Sequence, residues 1–130
     1  MAKKTVISIV DDDESARNAL TNLMRSLDFS ATAFASGESF LRSNRLRSTA
    51  CLIADVKMPG MTGLELHSRL VASVRSILTI LITAYYDERV RAQALNAGVV
   101  CYLTKPFNES KLLACIDSAL GDQRTGRRES

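Results

Sequence analysis

The stretch V-I-S-I-V at Val6–Val10 is followed at once by three aspartates at residues 11–13. A short apolar run of this kind is typical of a strand that helices cover on both faces of a parallel sheet. The runs C-L-I-A and L-T-I-L-I-T, which begin at Cys51 and Leu78, have the same character. We predict that these three runs form the central strands of one sheet.

Longer amphipathic segments separate the apolar runs, and this alternation indicates repeated βα units around a parallel sheet, the α/β class. We predict strands at residues 5–10, 31–35, 50–54, 78–83 and 99–104. We predict helices at residues 16–27, 36–47, 87–97 and 112–120, and another that follows Gly63. In that helix Leu64, Leu70 and Val71 are expected to face inward, and Gly98 is expected to end the next one.

The composition is that of one globular domain of ordinary size. The chain has 130 residues, of which 46% are hydrophobic and 24% are charged, and a chain of this length can bury a substantial core. We expect a single domain over residues 1–120. Residues 121–130 contain no apolar residue that could anchor them, so we expect a polar tail or a linker there.

The charge and the cysteines argue against several functions. The formal net charge is +3, but the arginines lie in separate predicted helices without interleaved aromatic residues, so we expect no direct binding of nucleic acid by this domain. The three cysteines form no CxxC pair and are expected to be reduced and buried. The N-terminal apolar run is too short for a signal peptide or a membrane span, which favours a cytoplasmic protein without membrane contact.

Polar side chains follow four of the predicted strands at the points where the strands end. Asp11 and Asp12 follow the first strand, Asp55 the third, and Lys105 the fifth, whereas Thr83 ends the fourth. Ligands of open parallel sheets bind outside the carboxyl ends of the strands, where the strand order reverses. We therefore expect these side chains to converge on one site.

Three carboxylates in one place raise one another's pKa unless a cation neutralises them. Oxygen ligands favour Mg²⁺, and no cluster of histidines or cysteines in the sequence suggests zinc. Beside such a cation Asp55 can act as a nucleophile toward phosphorus. Lys105 and Thr83 would offer a positive charge and a hydroxyl to the phosphoryl oxygens, and the small Ala84 would leave the approach open.

The motifs around these residues resemble the receiver domains of two-component response regulators, the CheY-like superfamily, and among them FixJ-type receivers. The motifs are I-V-D-D-D-E from Ile9, D-V-K-M-P-G-M-T-G from Asp55, L-I-T-A from Leu81 and Y-L-T-K-P-F from Tyr102. The resemblance covers about residues 5–120. It implies a flavodoxin-like, doubly wound (βα)₅ domain with the parallel strand order 2-1-3-4-5.

The resemblance also implies the roles of the site residues. Asp55 would be phosphorylated by a sensor histidine kinase. Mg²⁺ would be bound directly by Asp12, by Asp55 and by the backbone carbonyl of Lys57, whereas Asp11 would act mainly through a water molecule. The peptide bond between Lys105 and Pro106 would be cis, which is essentially a proline feature.

In the family that this sequence resembles, phosphorylation moves the Thr83 hydroxyl inward and the aromatic ring of Tyr102 follows it. The surface of the fourth helix, the fifth strand and the fifth helix, roughly residues 87–120, would then carry the signal. The receivers it resembles imply a phosphorylation-dependent homodimer and a DNA-binding effector domain outside this chain as further partners, by analogy alone.

Several readings remain open at this point. One alternative is an aspartate-nucleophile phosphatase, which needs an acid two residues after the nucleophile, where this chain has Lys57. The other is an inert interaction module, which would have lost the site residues that this chain retains. Bulky Lys57 and Tyr85 lead us to the hypothesis of slow autodephosphorylation. His67 is interpreted as a solvated residue on an outer helix, and Asp13 as the start of a helix.

Overall fold

The structure, a computed structural model, describes residues 4–73 and 77–129, with side chains up to residue 121. Within this part of the chain five strands alternate with five helices. The strands are β1 (Val6–Val10), β2 (Ser30–Phe34), β3 (Cys51–Asp55), β4 (Leu78–Thr83) and β5 (Cys101–Thr104). The helices are α1 (Glu14–Ser26), α2 (Gly37–Arg42), α3 (Gly63–Ala72), α4 (Glu88–Asn96) and α5 (Glu109–Glu129).

The strands form one parallel sheet in the order β2-β1-β3-β4-β5. The register pairs Ile7 with Cys51 between β1 and β3, and Ile80 with Cys101 between β4 and β5. The predicted class and strand order are confirmed. Because the order reverses between β1 and β3, a crevice opens at the carboxyl ends of the central strands.

The core lies in two layers, one on each face of the sheet. Successive residues of a strand point to opposite faces, so Leu52 and Ala54 of β3 pack into one layer, and Cys51 and Ile53 into the other. The first layer includes Phe40, Leu66, Leu81 and Ala94, and the second includes Ile7, Met24, Leu112 and Ile116. All five residues of β3 are buried, which explains the continuous apolar run that precedes Asp55 in this strand.

Three helix ends are defined by polar or glycine residues, and two of them, at Asp13 and Gly98, were predicted from the sequence. Asp13 is the N-cap of α1, where its carboxylate accepts a hydrogen bond from the Ala16 N–H at 2.8 Å. Thr62 and Glu65 form a capping box at the start of α3. Gly98 has a φ of 104° just after α4, a left-handed conformation that glycine adopts without steric cost.

The helix α2 is shorter than the predicted span of residues 36–47. It ends at Arg42, and Ser43 has an extended backbone with a φ of −82° and a ψ of 159°. The Ser43 hydroxyl donates to the Phe40 carbonyl at 2.8 Å. Serine competes in this way for the carbonyls of the last turn, which the apolar pattern did not reveal.

The buried face of α3 differs from the predicted one. Gly63, Leu66, His67 and Leu70 are buried, a spacing of three and four residues that forms one helical stripe. Val71, predicted to face inward, is 61% exposed. His67, predicted to be solvated, is 3% exposed. Val71 lies outside this stripe, about 100° around the helix from Leu70, whereas His67 lies within it, four residues after Gly63 and three before Leu70.

The described cysteines are free, as predicted. Cys51 is buried, and its burial raises the pKa of the thiol to about 12. Cys101 and Cys115 are only half-buried, because Cys101 lies on the edge strand β5 and Cys115 on the helix beside it.

The C-terminal region is described only in part. The helix α5 reaches Glu129, so its span includes most of the predicted polar tail, residues 121–130; the side chains after residue 121 lie outside the described part, and the domain boundary stays a prediction. In the described ranges no helix combines the length and hydropathy that crossing a membrane requires.

Candidate functional site

The carboxyl ends of β1, β3 and β5 bring two carboxylates and a lysine together. The ammonium of Lys105 lies 3.2 Å from Asp11 Oδ2 and 3.4 Å from Asp55 Oδ2. The end of β4 is joined to this group through the backbone, because the Lys105 N–H donates to the Thr83 carbonyl at 2.7 Å. The peptide bond between Lys105 and Pro106 is cis. The structure thus places the four strand ends around one spot.

Asp11, Asp12 and Asp55 each offer a carboxylate oxygen, and these oxygens lie within 4.8 Å of one another. Asp11 is fully buried, and its Oδ1 accepts from the Asp13 N–H at 2.9 Å. Asp12 is exposed, so the group is open to solvent on one side. An oxygen-only donor set with an open side fits Mg²⁺, which keeps several waters when it is bound by carboxylates.

Lys105 is the cation that neutralises the carboxylates in this structure. Burial raises the pKa of Asp55 above its usual value and the Asp11 carboxylate adds to the rise, whereas the charge and the hydrogen bond of Lys105 lower it. Burial lowers the pKa of Lys105, but the two carboxylates outweigh it, and its net pKa is raised. Asp55 and Lys105 therefore form a partly buried ion pair.

The start of α3 packs directly against Asp55. A Cβ atom on Gly63 would lie 2.4 Å from the Asp55 carbonyl oxygen, so only glycine fits between this strand and this helix. The Gly63 N–H donates to the Val56 carbonyl at 3.0 Å. The backbone N–H of Lys57 is directed at the Asp55 carboxylate and lowers its pKa. The role of the Lys57 carbonyl as a metal ligand stays a prediction.

The Thr83 hydroxyl is buried and is hydrogen-bonded to the backbone of Tyr85. It accepts from the Tyr85 N–H at 3.1 Å and donates to the Tyr85 carbonyl at 3.2 Å. Ala84 between them is exposed. The ring of Tyr85 lies under the Lys57 ammonium at 5.4 Å from the ring centroid, a cation–π contact. None of these partners of Thr83 and Lys57 was predicted from the sequence.

Tyr102 is half-buried, and its hydroxyl is buried without a hydrogen bond of ordinary geometry in the described part of the chain. Burial raises the pKa of this hydroxyl. The Tyr86 ring contacts the Tyr102 ring edge-on, with centroids 6.0 Å apart and an interplanar angle of 76°. The Tyr86 hydroxyl donates to the Glu88 carboxylate. In the sequence, the pair of adjacent tyrosines at positions 85 and 86 was the feature that could have indicated the contact between Tyr86 and Tyr102.

Arg17 on α1 is a further residue of the site that the sequence analysis missed. Its Nη1 donates to the Asp11 carbonyl at 2.8 Å. An arginine one helical turn after an N-cap aspartate is common on helix surfaces, so the spacing alone gave no signal.

Comparison with known proteins agrees with this geometry. The family model for the response regulator receiver domain matches residues 7–117. Nodulation protein W of Bradyrhizobium diazoefficiens is 36% identical over 127 residues, which cover 98% of this chain and 56% of that protein. Transcriptional regulatory protein FixJ of the same species is 34% identical over 120 residues, which cover 92% and 58%. The chain thus spans about half the length of these relatives.

The crystal structure titled FixJ-N superimposes with a TM-score of 0.81 and 30% sequence identity, covering 91% of this chain and 94% of that one. Its likeness extends over the whole five-stranded fold. On the family match, the relatives and the shared structure together, the chain belongs to the response regulator receiver domains of two-component systems and is similar to those of the FixJ type.

Proposed function

We propose that this domain accepts a phosphoryl group on Asp55 from the phosphohistidine of a sensor histidine kinase, with Mg²⁺ as the cofactor. The observation that carries the proposal is the position of Asp55: its carboxylate lies within 4.8 Å of oxygens from Asp11 and Asp12 and 3.4 Å from the Lys105 ammonium. This arrangement supplies a nucleophile, a set of cation ligands and a mobile positive charge in one crevice.

In the transfer, an Asp55 carboxylate oxygen attacks the phosphorus atom, and the bond between phosphorus and the donor nitrogen breaks. The electron pair of that bond leaves with the imidazole of the kinase. Asp12, Asp55 and the Lys57 carbonyl would hold Mg²⁺, with Asp11 acting through a water molecule, and the bound cation would supply positive charge to the phosphoryl oxygens. Lys105 shifts from its carboxylate partners toward a phosphoryl oxygen as the negative charge moves there.

Thr83 supplies the second contact to the phosphoryl group. Its hydroxyl exchanges the Tyr85 carbonyl for a phosphoryl oxygen as acceptor, because a hydroxyl has only one proton to donate. A charged oxygen is the stronger acceptor, so phosphorylation favours the exchange. This exchange releases the loop that carries Tyr85 and Tyr86 from Thr83. Because the Tyr86 ring contacts the Tyr102 ring, Tyr102 can then change its position. The negative charge of the phosphoryl group on Asp55 thereby causes a conformational change at α4 and β5.

The surface of α4, β5 and α5, roughly residues 87–120, then controls a partner. Because the chain spans about half of its relatives and FixJ is named a transcriptional regulatory protein, we propose a DNA-binding effector domain outside this chain. We also propose a phosphorylation-dependent homodimer through the same surface. A cytoplasmic location agrees with the free thiols, which remain reduced there.

The domain is a switch that catalyses its own phosphorylation and a slow autodephosphorylation. A phosphatase would need a carboxyl group at position 57 that acts as both general acid and general base, and Lys57, whose ammonium lies over the Tyr85 ring, cannot fill both roles. Phosphatase activity toward small phosphomonoesters is therefore not expected.

The proposal is tested by incubating the protein with phosphoramidate and Mg²⁺ and measuring its intact mass. The parent should gain one phosphoryl group, and Asp55→Asn should gain none. Asp13→Asn is the matched control: asparagine is an equally good N-cap, and Asp13 is not placed in the site. A parent protein whose mass does not change, with Mg²⁺ present, would identify an inert interaction module instead.

A further inference from the structure

The aspartates of the site differ in how firmly they are held. Both carboxylate oxygens of Asp11 are occupied, Oδ1 by the Asp13 N–H at 2.9 Å and Oδ2 by Lys105 at 3.2 Å. The backbone of Asp11 is also fixed on its amino side, where its N–H donates to the Phe34 carbonyl at 3.1 Å. Asp12, in contrast, is exposed. Its position therefore depends on the peptide group that links it to Asp11.

Arg17 holds that peptide group. Its Nη1 donates to the Asp11 carbonyl oxygen at 2.8 Å, and its own backbone N–H donates to the Asp13 carbonyl at 2.9 Å. Because a peptide group is planar, fixing the carbonyl of Asp11 also fixes the direction of the Asp12 N–H and the path of the chain into Asp12. Without this donor the carbonyl would lose a charge-assisted hydrogen bond, and the peptide plane would be held less firmly between the hydrogen bonds of the Asp11 and Asp13 N–H groups.

We infer that Arg17 is a positioning residue for Mg²⁺: it orients Asp12, the exposed member of the Asp11, Asp12 and Asp55 group, through the Asp11 carbonyl. The inference rests on the proposed function, which makes this group the Mg²⁺ site. According to this inference, the positively charged Arg17 strengthens the binding of the positively charged Mg²⁺. That sign is opposite to what charge alone predicts, since a guanidinium near the site repels Mg²⁺.

Positioning by Arg17 should strengthen Mg²⁺ binding, whereas charge repulsion should weaken it. Direct titration of the metal-free protein with Mg²⁺ in a calorimeter can therefore test the inference. Arg17→Met removes the positive charge and the donor together. Loss of positioning should weaken Mg²⁺ binding about tenfold, as is usual when a residue that orients a metal ligand is removed. Loss of repulsion alone should tighten it. Arg17→Lys, which keeps the charge and replaces the guanidinium donor with an ammonium donor, should recover most of the affinity.

Arg25→Met is the matched control. Arg25 lies on the same helix and donates to a backbone carbonyl in the same manner, to Ala31 at 3.1 Å, but about 12 Å further along the helix. The control loses the same charge and the same kind of bond, so its Mg²⁺ affinity should be unchanged or slightly higher. If Arg17→Met does not fold, Arg17→Gln decides the question, since its amide is two bonds shorter and does not reach the carbonyl.

The outcomes separate the inference from the proposed function. A parent that binds Mg²⁺, with Arg17→Met binding it equally or more tightly, overturns the inference and leaves the proposed function standing. Weakening of the Arg25→Met variant to the same degree also overturns it, because the effect would then come from α1 in general. A parent that binds no Mg²⁺ overturns both.

Discussion

The Lys57 ammonium lies over the ring of Tyr85, 5.4 Å from the ring centroid. These residues stand two positions after the proposed acceptor Asp55 and two after Thr83, so their contact joins the loops that follow β3 and β4. Both side chains are exposed, and we expect them to form a cover that screens an acyl phosphate on Asp55 from water. The contact has consequences for the lifetime of an acyl phosphate.

Removing this cover should expose the acyl phosphate to water. We expect the Lys57→Ala, Tyr85→Ala double variant to dephosphorylate several-fold faster than the parent, measured as loss of phosphoryl mass after the donor is removed. Tyr86→Ala is the control, since Tyr86 contacts Tyr102 instead of Lys57. A double variant that decays no faster than the parent contradicts the hypothesis of slow autodephosphorylation.

Lys105→Met should destabilise the metal-free protein, because it leaves the carboxylates of Asp11 and Asp55 without their cation. We expect a loss of about 1–3 kcal/mol in the free energy of unfolding, the usual range for a buried polar group that loses its partner. Urea unfolding in a chelator measures it. Mg²⁺ should reduce the difference from the parent, since it neutralises the same carboxylates.

The control for this variant is Lys111→Met, which removes an exposed lysine of α5 and should leave stability unchanged with or without Mg²⁺. If both variants lost the same free energy of unfolding, the ion pairs of Lys105 with Asp11 and Asp55 would not explain the loss.

Gly63→Ala should disturb the site and the fold together. Its Cβ would lie 2.4 Å from the Asp55 carbonyl oxygen and 3.1 Å from Leu81, so β3 and α3 must move apart, at a cost of about 2–3 kcal/mol. Phosphorylation by phosphoramidate should fall, because Asp55 moves with its strand. Gly98→Ala meets open space at a φ of 104°; it should lose about 1–2 kcal/mol yet keep its rate of phosphorylation.

The stability of the domain should fall in weak acid because of His67. Burial lowers the pKa of His67 below its usual 6.5, and its Nδ1 has no hydrogen-bond partner in the part of the chain that is described. The unfolded chain therefore binds a proton more readily than the folded one. The stabilising effect is full above about pH 6.5 and is lost as the pH falls toward the lower folded pKa.

His67→Leu should remove this part of the pH dependence. We expect the difference in unfolding free energy between pH 7.5 and pH 5.5 to be smaller in the variant, by urea unfolding at both values. The chain has one histidine, so its imidazole titration by NMR reports the folded pKa without overlap. Parallel stability profiles of parent and variant would contradict the argument.

The order of strands and helices was predictable because strands that are buried on both faces of the sheet, such as β3 and β4, need nearly continuous runs of apolar residues. The convergence of Asp11, Asp55 and Lys105 followed from the same reasoning, since parallel strands end at one edge. The face of α3 was not predictable, because a histidine resembles a surface residue until its neighbours are known. The bonds from Thr83 to Tyr85 and from Arg17 to Asp11 depend on loop geometry, which leaves no periodic signal.

The ion pairs of Lys105 also determine when in folding the site can exist. Lys105 meets Asp11, 94 residues earlier in the chain, and Asp55, 50 residues earlier. The contact with Asp11 requires β1 and β5 to be in place, and the contact with Asp55 requires β3 and β5. A nascent chain that has not yet released β5 from the ribosome carries Asp55, the proposed acceptor, without Lys105 beside it. If Asp55 is phosphorylated as proposed, the domain should therefore accept a phosphoryl group only after its last strand, β5, has been synthesised and has joined the sheet.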